Sequence, residues 1–125
     1  IAVVVFINPQ KAQASQEGAV TVTATSNYVL DDSHNVDISI TAYVEYAYDE
    51  GAYGWVINII PQGWSKTSDN VTIDSMDYGG EYGYQTSTAV YGFRYTAHSF
   101  DIDYDGYVYF NFSVDEWGDF DYWLE

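Results

Sequence analysis

Residues 36–48 read VDISITAYVEYAY, and this stretch decides the fold. Its even-numbered positions are all apolar or aromatic, whereas Asp37, Ser39, Thr41 and Glu45 lie between them. A repeat of two residues is the pattern of a β-strand that buries one face. At about 3.3 Å per residue, this strand would span about 43 Å, so we expect a bend or a β-bulge within it.

The same alternation extends to both sides of this stretch. Residues 19–30 set valine and alanine against threonine, and every even-numbered residue from 100 to 114 is apolar, aromatic or glycine. Further strands are predicted at 52–60, 71–76 and 117–124, and a strand or a hairpin at 82–95. Because residues 52–60 are apolar on both faces, we expect them to form a central strand.

Short polar and glycine-rich segments separate these strands. Asp49-Glu50-Gly51 predicts a tight hairpin turn with Gly51 in the left-handed conformation, and residues 77–80 predict another turn. No stretch repeats every 3.6 residues, so we expect almost no helix. The sequence therefore predicts a single all-β domain, an antiparallel β-sandwich or jelly-roll.

The composition excludes several classes of function. The net charge of −16 repels nucleic acid and anionic membranes, because binding phosphates requires clustered lysine and arginine. The absence of cysteine excludes disulfides and thiolate chemistry. The basic side chains are few, and no catalytic sequence motif is present, so we predict that the protein is not an enzyme and requires no cofactor. The five basic residues are Lys11, Lys66, Arg94, His34 and His98.

The first 18 residues differ from the rest of the chain. The apolar run comprises Ile1, Ala2, Val3, Val4, Val5, Phe6 and Ile7, and a polar tether follows over residues 8–18. The run is too short to cross a bilayer, which needs about 20 apolar residues in a helix. Most of its residues are β-branched, so it predicts an extended strand that must be buried on both faces. We therefore divide the chain into this strand with its tether, residues 1–18, and a β-domain, residues 19–125.

Three interpretations of the N-terminal run are open. It could be part of a secretory signal peptide, since Ala12-Gln13-Ala14 fits a cleavage pattern. It could be the first strand of its own domain. It could also be a donor strand that completes the sheet of a neighbouring subunit, which is the interpretation we favour. Because the chain begins with Ile1 and not methionine, we expect processing and a secreted, extracellular protein.

Asp101, Asp103 and Asp105 form a candidate calcium site. With Gly106 they match the D-x-D-x-D-G opening of a calcium loop, but Phe112 stands where that loop needs a glutamate. Alternatively, the three aspartates are the solvent face of a strand. Three carboxylates on one face repel each other unless a positive charge lies nearby. This repulsion favours a bound calcium ion over a plain solvent-exposed face.

Two further features concern carbohydrate. Asn70 and Asn111 each begin an N-x-S/T tripeptide and are candidate glycosylation sites, with Asn111 on the outward face of its strand. The 4 tryptophans and 14 tyrosines could stack on sugar rings, or they could pack in the core and between subunits. We favour subunit contacts.

Taken as an architecture, the chain resembles the donor-strand-exchanging subunits of extracellular filaments, of the archaeal thread or bundling-pilus type. The resemblance rests on Ile1–Ile7, the tether and the cysteine-free β-domain behind them. It implies a structural pilus protein that forms a homopolymer at the cell surface by donor-strand complementation. It also implies that Ile1, Val3, Val5 and Ile7 would fill one face of a neighbour's groove. The alternative is a secreted carbohydrate-binding or adhesive β-sandwich module, stabilised by calcium.

Overall fold

The computed structural model describes residues 15–68, 70–82 and 86–125. These residues form β-strands and contain no helix, which confirms the all-β prediction. The donor strand predicted at Ile1–Ile7 lies outside the described residues. The strands are β1 (Gln16–Asp31), β2 (His34–Asp49), β3 (Tyr53–Thr67), β4 (Thr72–Tyr82), β5 (Thr88–Ser99), β6 (Ile102–Val114) and β7 (Phe120–Leu124).

The strands form two antiparallel sheets. The first has the order β1-β2-β3 and the second the order β4-β5-β6-β7, so every pairing joins strands that are consecutive in the sequence, and the chain passes from one sheet to the other between β3 and β4. The long strand β2 is accommodated by register shifts against β3 at Thr41/Ala42 and Glu45/Tyr46, which confirms the expected irregularity. Gly51 has a φ of 79°, so the predicted left-handed turn residue is also confirmed.

The inner faces of the two sheets share one hydrophobic core. Ile38, Ile40 and Val44 of β2 are fully buried in the same cluster as Phe110 and Phe112 of β6. The layers are therefore those of a β-sandwich-like fold. The jelly-roll prediction is not confirmed, because each sheet follows chain order and a jelly-roll requires Greek-key crossings.

Two local predictions were wrong. β3 lies at the edge of its sheet and is not central. On its outer face Tyr53 packs on Trp55, with ring centroids 5.2 Å apart, and on its other side the Val56 amide donates to the Thr86 carbonyl over 3.0 Å. Residues 77–80 do not turn the chain but continue β4, with a register shift between Tyr78 and Gly80.

The two ends of the fold are distinct. At the entry end, where Ser15 leads into β1, the Gly51 amide donates to the Glu116 carbonyl over 3.0 Å and so joins the β2–β3 and β6–β7 turns. Ser15 Oγ donates to Asp49 at this end over 2.9 Å. At the far end, the β1–β2 and β5–β6 turns lie together, because Tyr104 of β6 contacts Asp31.

Candidate functional site

The most distinctive feature of the second sheet is that β7 covers only half of β6. β7 pairs with Phe110–Val114. Tyr109 extends this pairing by exchanging two backbone hydrogen bonds, each 3.0 Å long, with Glu125. Beyond that point, no strand among residues 15–68, 70–82 and 86–125 pairs with this side of β6. We call the seven unpaired residues Ile102–Val108 the open edge.

The backbone groups that the open edge presents follow from the pairing next to it. Hydrogen-bonding directions alternate along an antiparallel strand. Since Tyr109 bonds towards β7, the N–H and C=O groups of Tyr107, Asp105 and Asp103 point to the same, unpaired side. The Val114 amide donates to Ser87 on the β5 side over 2.9 Å, which agrees with this alternation. An unpaired row of this kind is a template for a further strand.

The inner side of the open edge is aromatic. Tyr28 of β1 packs edge-on against Tyr95 with ring centroids 6.3 Å apart, and its hydroxyl donates to the Glu125 carbonyl over 2.9 Å. Burial raises the pKa of both Tyr28 and Tyr95, so both hydroxyls stay protonated at neutral pH. The Tyr95 ring lies over Gly106, where a Cβ would come within 2.5 Å of it. Glycine at 106 therefore allows the ring to approach the edge strand closely.

The outer side of the open edge carries Asp103, Asp105 and Tyr107, and further aromatic rings continue from Tyr107 towards β7. Tyr107 and Tyr109 of β6 stack on each other with ring centroids 6.2 Å apart and an interplanar angle of 12°. Both rings are exposed, as is that of Trp123 on β7. A strand added here would therefore meet aromatic surface on its inner face, and two carboxylates and one aromatic ring on its outer face.

A polar cluster holds the two sheets together at the far end. The Tyr104 hydroxyl of β6 donates to the carboxylate of Asp31 on β1, and His34 Nδ1 lies 2.9 Å from the same carboxylate. The bond from Tyr104, followed by that from the Ser33 amide, lowers the pKa of Asp31 to about 2. In turn, the bond to Asp31 raises the pKa of Tyr104 to about 12. This cluster fixes the position of β6 at the start of the open edge.

The three aspartates of the candidate calcium site lie at the β5–β6 turn and along β6. Asp105 forms two hydrogen bonds with the Arg94 guanidinium, of 2.6 and 3.1 Å, which lower the pKa of its carboxyl. Arg94 therefore provides a positive charge next to Asp105, the role for which the sequence suggested a calcium ion. Within the described part of the chain, no group of three or more histidine or acidic side chains is arranged to hold a metal. Calcium binding at Asp101, Asp103 and Asp105 stays a prediction.

The two candidate glycosylation sites differ in accessibility. Asn111 is only 8% exposed, and its Nδ2, the atom that would carry a glycan, donates to Tyr109, Trp123 and Glu125. The outward position predicted for Asn111 therefore does not make it accessible. Asn70 is exposed. Glycosylation at either residue stays a prediction, and the geometry favours Asn70.

The acidic side chains near the C-terminal end have a structural role. Asp115 accepts hydrogen bonds from the backbone amides of Trp117 and Asp119 over 2.8 and 2.9 Å. These bonds, led by that from Asp119, lower the pKa of Asp115 and hold the turn before β7. A cavity of about 380 Å³ lies beside this turn and is bordered by Asp115, Asp119 and Asp121.

The comparisons with known proteins provide no relative from which a function could be transferred. No protein-family model, no curated protein and no solved structure matches the chain. Among the described residues, there is no helix of the length and apolarity needed to span a membrane.

Proposed function

We propose that this protein is a structural, non-enzymatic subunit of an extracellular filament, and that Ile1–Ile7 of one subunit adds as a strand to the open edge of the next. The observation that carries the proposal is the open edge of β6. Its length, seven residues, equals that of the apolar run. Its inner side, lined by Tyr28 and Tyr95, suits the apolar face formed by Ile1, Val3, Val5 and Ile7.

Chain length favours insertion into a neighbour over antiparallel insertion into the same subunit. Gln16 lies level with Gly54 through their shared pairing with β2, and a Cβ on Gly54 would come within 2.6 Å of the Val114 side chain. A strand that runs antiparallel to β6 along the whole open edge places Ile7 beside Ile102, which is 12 residues or about 40 Å along β6 from Val114. The tether from Ile7 to Gln16 spans at most about 32 Å, even when fully extended. An antiparallel run therefore does not reach this position in its own subunit, whereas a neighbouring subunit has no such restriction.

The free edge of β1 is a poorer site for the run. A strand paired there would share its outer face with Thr21, Thr23 and Thr25, which are exposed. Thr23 and Thr25 are already bonded to Thr41 and Ser39 of β2 over 2.7 and 2.6 Å. The outer side chains of the run would meet only these hydroxyl groups at β1, whereas at the open edge they would meet the exposed ring of Tyr107 besides two carboxylates, so less apolar surface would be buried at β1.

The proposed contact is strong enough to hold a polymer. Burying Ile1, Val3, Val5 and Ile7 would contribute roughly 6–12 kcal/mol. Each new backbone hydrogen bond would add about 0.5–1.5 kcal/mol. Because each subunit both donates a strand and accepts one, the contact is heterologous and propagates into an open filament.

The test compares two doubly substituted full-length chains that carry the same added charge. Val3→Asp with Val5→Asp places two carboxylates in the apolar run, whereas Gln10→Asp with Gln13→Asp places them in the tether. We expect the first variant to remain monomeric by light scattering and negative-stain microscopy, because burying unpaired carboxylates is costly. The second should form filaments. A native chain that stays monomeric at high concentration would contradict the proposal.

A second candidate function is binding of carbohydrate. The stacked rings of Tyr107 and Tyr109, next to Trp123, form an exposed aromatic surface of the kind that sugars stack on. In that case the protein would be a secreted adhesive module, and calcium at Asp101, Asp103 and Asp105 would stabilise it. Binding on a glycan array that is lost in Trp123→Ala, together with a melting temperature lowered by chelator, would support this alternative.

A further inference from the structure

We propose that Phe100, at the tip of the β5–β6 turn, is a second subunit contact, which packs against Trp117 at the entry end of the subunit that donates its strand. This inference rests on the proposed function, because it concerns the same pair of subunits. It assigns a partner to a side chain that the fold of the single subunit does not explain.

Phe100 has an unfavourable backbone conformation. It follows Ser99 and precedes Asp101 in the two-residue turn that joins Ser99 to its partner Ile102. Phe100 has a φ of 55°, while Asp101 is not among the residues with positive φ. A positive φ at the first central residue alone is the pattern of a type II′ turn, in which that position is normally glycine. For a bulky residue this conformation is an outlier.

The side chain of Phe100 gains nothing from the isolated subunit. It is 91% exposed, so its ring makes almost no contact with the core. A strained residue that also exposes a large apolar ring is unfavourable on both counts for the single subunit. Backbone strain that no contact within the subunit compensates, such as the positive φ of Phe100, indicates a functional role.

The location of Phe100 relates it to the proposed strand contact. β6 begins two residues after Phe100, so the ring stands at the far end of the open edge. Ile102, the first residue of that edge, is also exposed. Val29, which is exposed as well, lies at the same end of the other sheet, just before the β1–β2 turn.

The direction of the donor strand determines which part of the neighbour lies here. All strands of this sheet pair antiparallel, so we take the added strand to run antiparallel to β6 as well. Ile7 of the donor would then lie beside Ile102, and the tether would leave at the far end, next to Phe100. From there the tether spans at most about 32 Å before it joins β1 of the donor subunit.

The donor subunit therefore approaches with its entry end. At that end Trp117 is 56% exposed and lies on the turn that is bonded to Gly51. Two exposed aromatic rings at opposite ends of the subunit would be covered together when subunits stack head to tail. Each buried aromatic ring also contributes through edge or stacking geometry.

The test is a substitution that should act in opposite directions on the subunit and on the polymer. Phe100→Gly places the preferred residue in the turn, so it should raise the melting temperature by about 2–6 °C. This is measured in the full-length chain that carries Val3→Asp and Val5→Asp, which is expected to be monomeric. In the otherwise native full-length chain, the same substitution should raise the critical concentration for polymerisation by about 10-fold or more.

Three further variants make the result specific. Ile60→Thr removes an exposed apolar side chain from the outer face of β3 and should leave the critical concentration unchanged. Trp117→Ser should raise it, and adding Phe100→Gly to Trp117→Ser should have little further effect, because the two rings form one contact. Phe100→Asn, which also tolerates a positive φ, should repeat the result of Phe100→Gly.

The outcomes separate this inference from the proposed function. If Val3→Asp with Val5→Asp blocks polymerisation but Phe100→Gly does not, the strand contact holds and the Phe100 contact is refuted. Additive effects of Phe100→Gly and Trp117→Ser would also refute the pairing of the two rings. If Val3→Asp with Val5→Asp polymerises normally, the proposed function itself fails.

Discussion

Replacing Tyr107 with proline should prevent strand addition at the open edge and leave the subunit folded. Tyr107 is the first odd-numbered residue beyond Tyr109, the last residue of β6 that bonds to the chain after β7. Its N–H therefore points to the open side and not to β5. Proline lacks that N–H and is tolerated in strands where the N–H would face solvent.

The size of the effect follows from one lost hydrogen bond. A carbonyl of the added strand would be buried opposite the proline ring without a donor, at a cost of about 1–3 kcal/mol. This corresponds to a fall of about 5–150-fold in the association constant. The proline ring also projects into the space of the added strand, so the upper part of this range is expected.

The assay measures polymer and subunit separately. The critical concentration is obtained by sedimentation of full-length chains, and the melting temperature by circular dichroism in the Val3→Asp, Val5→Asp background. Tyr107→Ala is the matched control, because it removes the same ring but keeps the N–H. Val108→Pro is the opposite control and should unfold the subunit, because Val108 is fully buried and its N–H faces β5. If Tyr107→Pro and Tyr107→Ala polymerise equally well, no strand adds at this edge.

Two further predictions concern charge. Asp31 has a folded pKa of about 2 against an ordinary value of 3.8, so its ionised form stabilises the fold above about pH 4 and this contribution is lost as the pH falls towards 2. The urea midpoint of the native chain should therefore fall more steeply between pH 4 and pH 2 than that of Asp31→Asn, and equal slopes would show that the far-end cluster does not stabilise the fold. Salt should promote polymerisation, because subunits with a net charge of −16 repel each other and about 0.1 M salt reduces the Debye length to about 10 Å. A critical concentration that rises with salt would instead indicate that ion pairs hold the subunits together.

The alternating strands of the fold could be predicted from the sequence because the side-chain pattern records which face is buried. The alternation in residues 36–48 correctly predicted β2, and the apolar even-numbered residues from 100 to 114 predicted β6. Phe100 is one of these even-numbered residues, but it lies in the turn before β6. Parity cannot distinguish the last residue of a strand from the first residue of a turn when both are apolar. The edge position of β3 was also missed. Apolar residues on both faces predicted a central strand, but in β3 the outer ones include Tyr53 and Trp55, which pack on each other.

The candidate site could be predicted only in part. The apolar run predicted a strand that needs a partner. The open edge proposed to receive it arises from the unequal lengths of β6 and β7, which is a property of their pairing and not of either strand alone. The sequence predicted a strand over 117–124, whereas β7 begins at Phe120. Gly118 has a φ of 80°, and Asp115 accepts hydrogen bonds from the backbone amides of Trp117 and Asp119, so the turn extends further than the apolar pattern indicates. The contact of Arg94 with Asp105 joins separate strands, and only the register of β5 on β6 brings the two residues within reach.

The order of strands within each sheet also has a consequence for how the chain folds. Every pairing is between neighbours in sequence, so each sheet can form by successive hairpins, and only the docking of one sheet on the other joins distant parts of the chain. During synthesis β1, β2 and β3 are complete before β5 and β6 exist. The apolar inner face of β2 then has no cover for the interval in which the second half of the chain is made. During that interval the uncovered inner face of β2 is apolar surface through which partly made chains can associate.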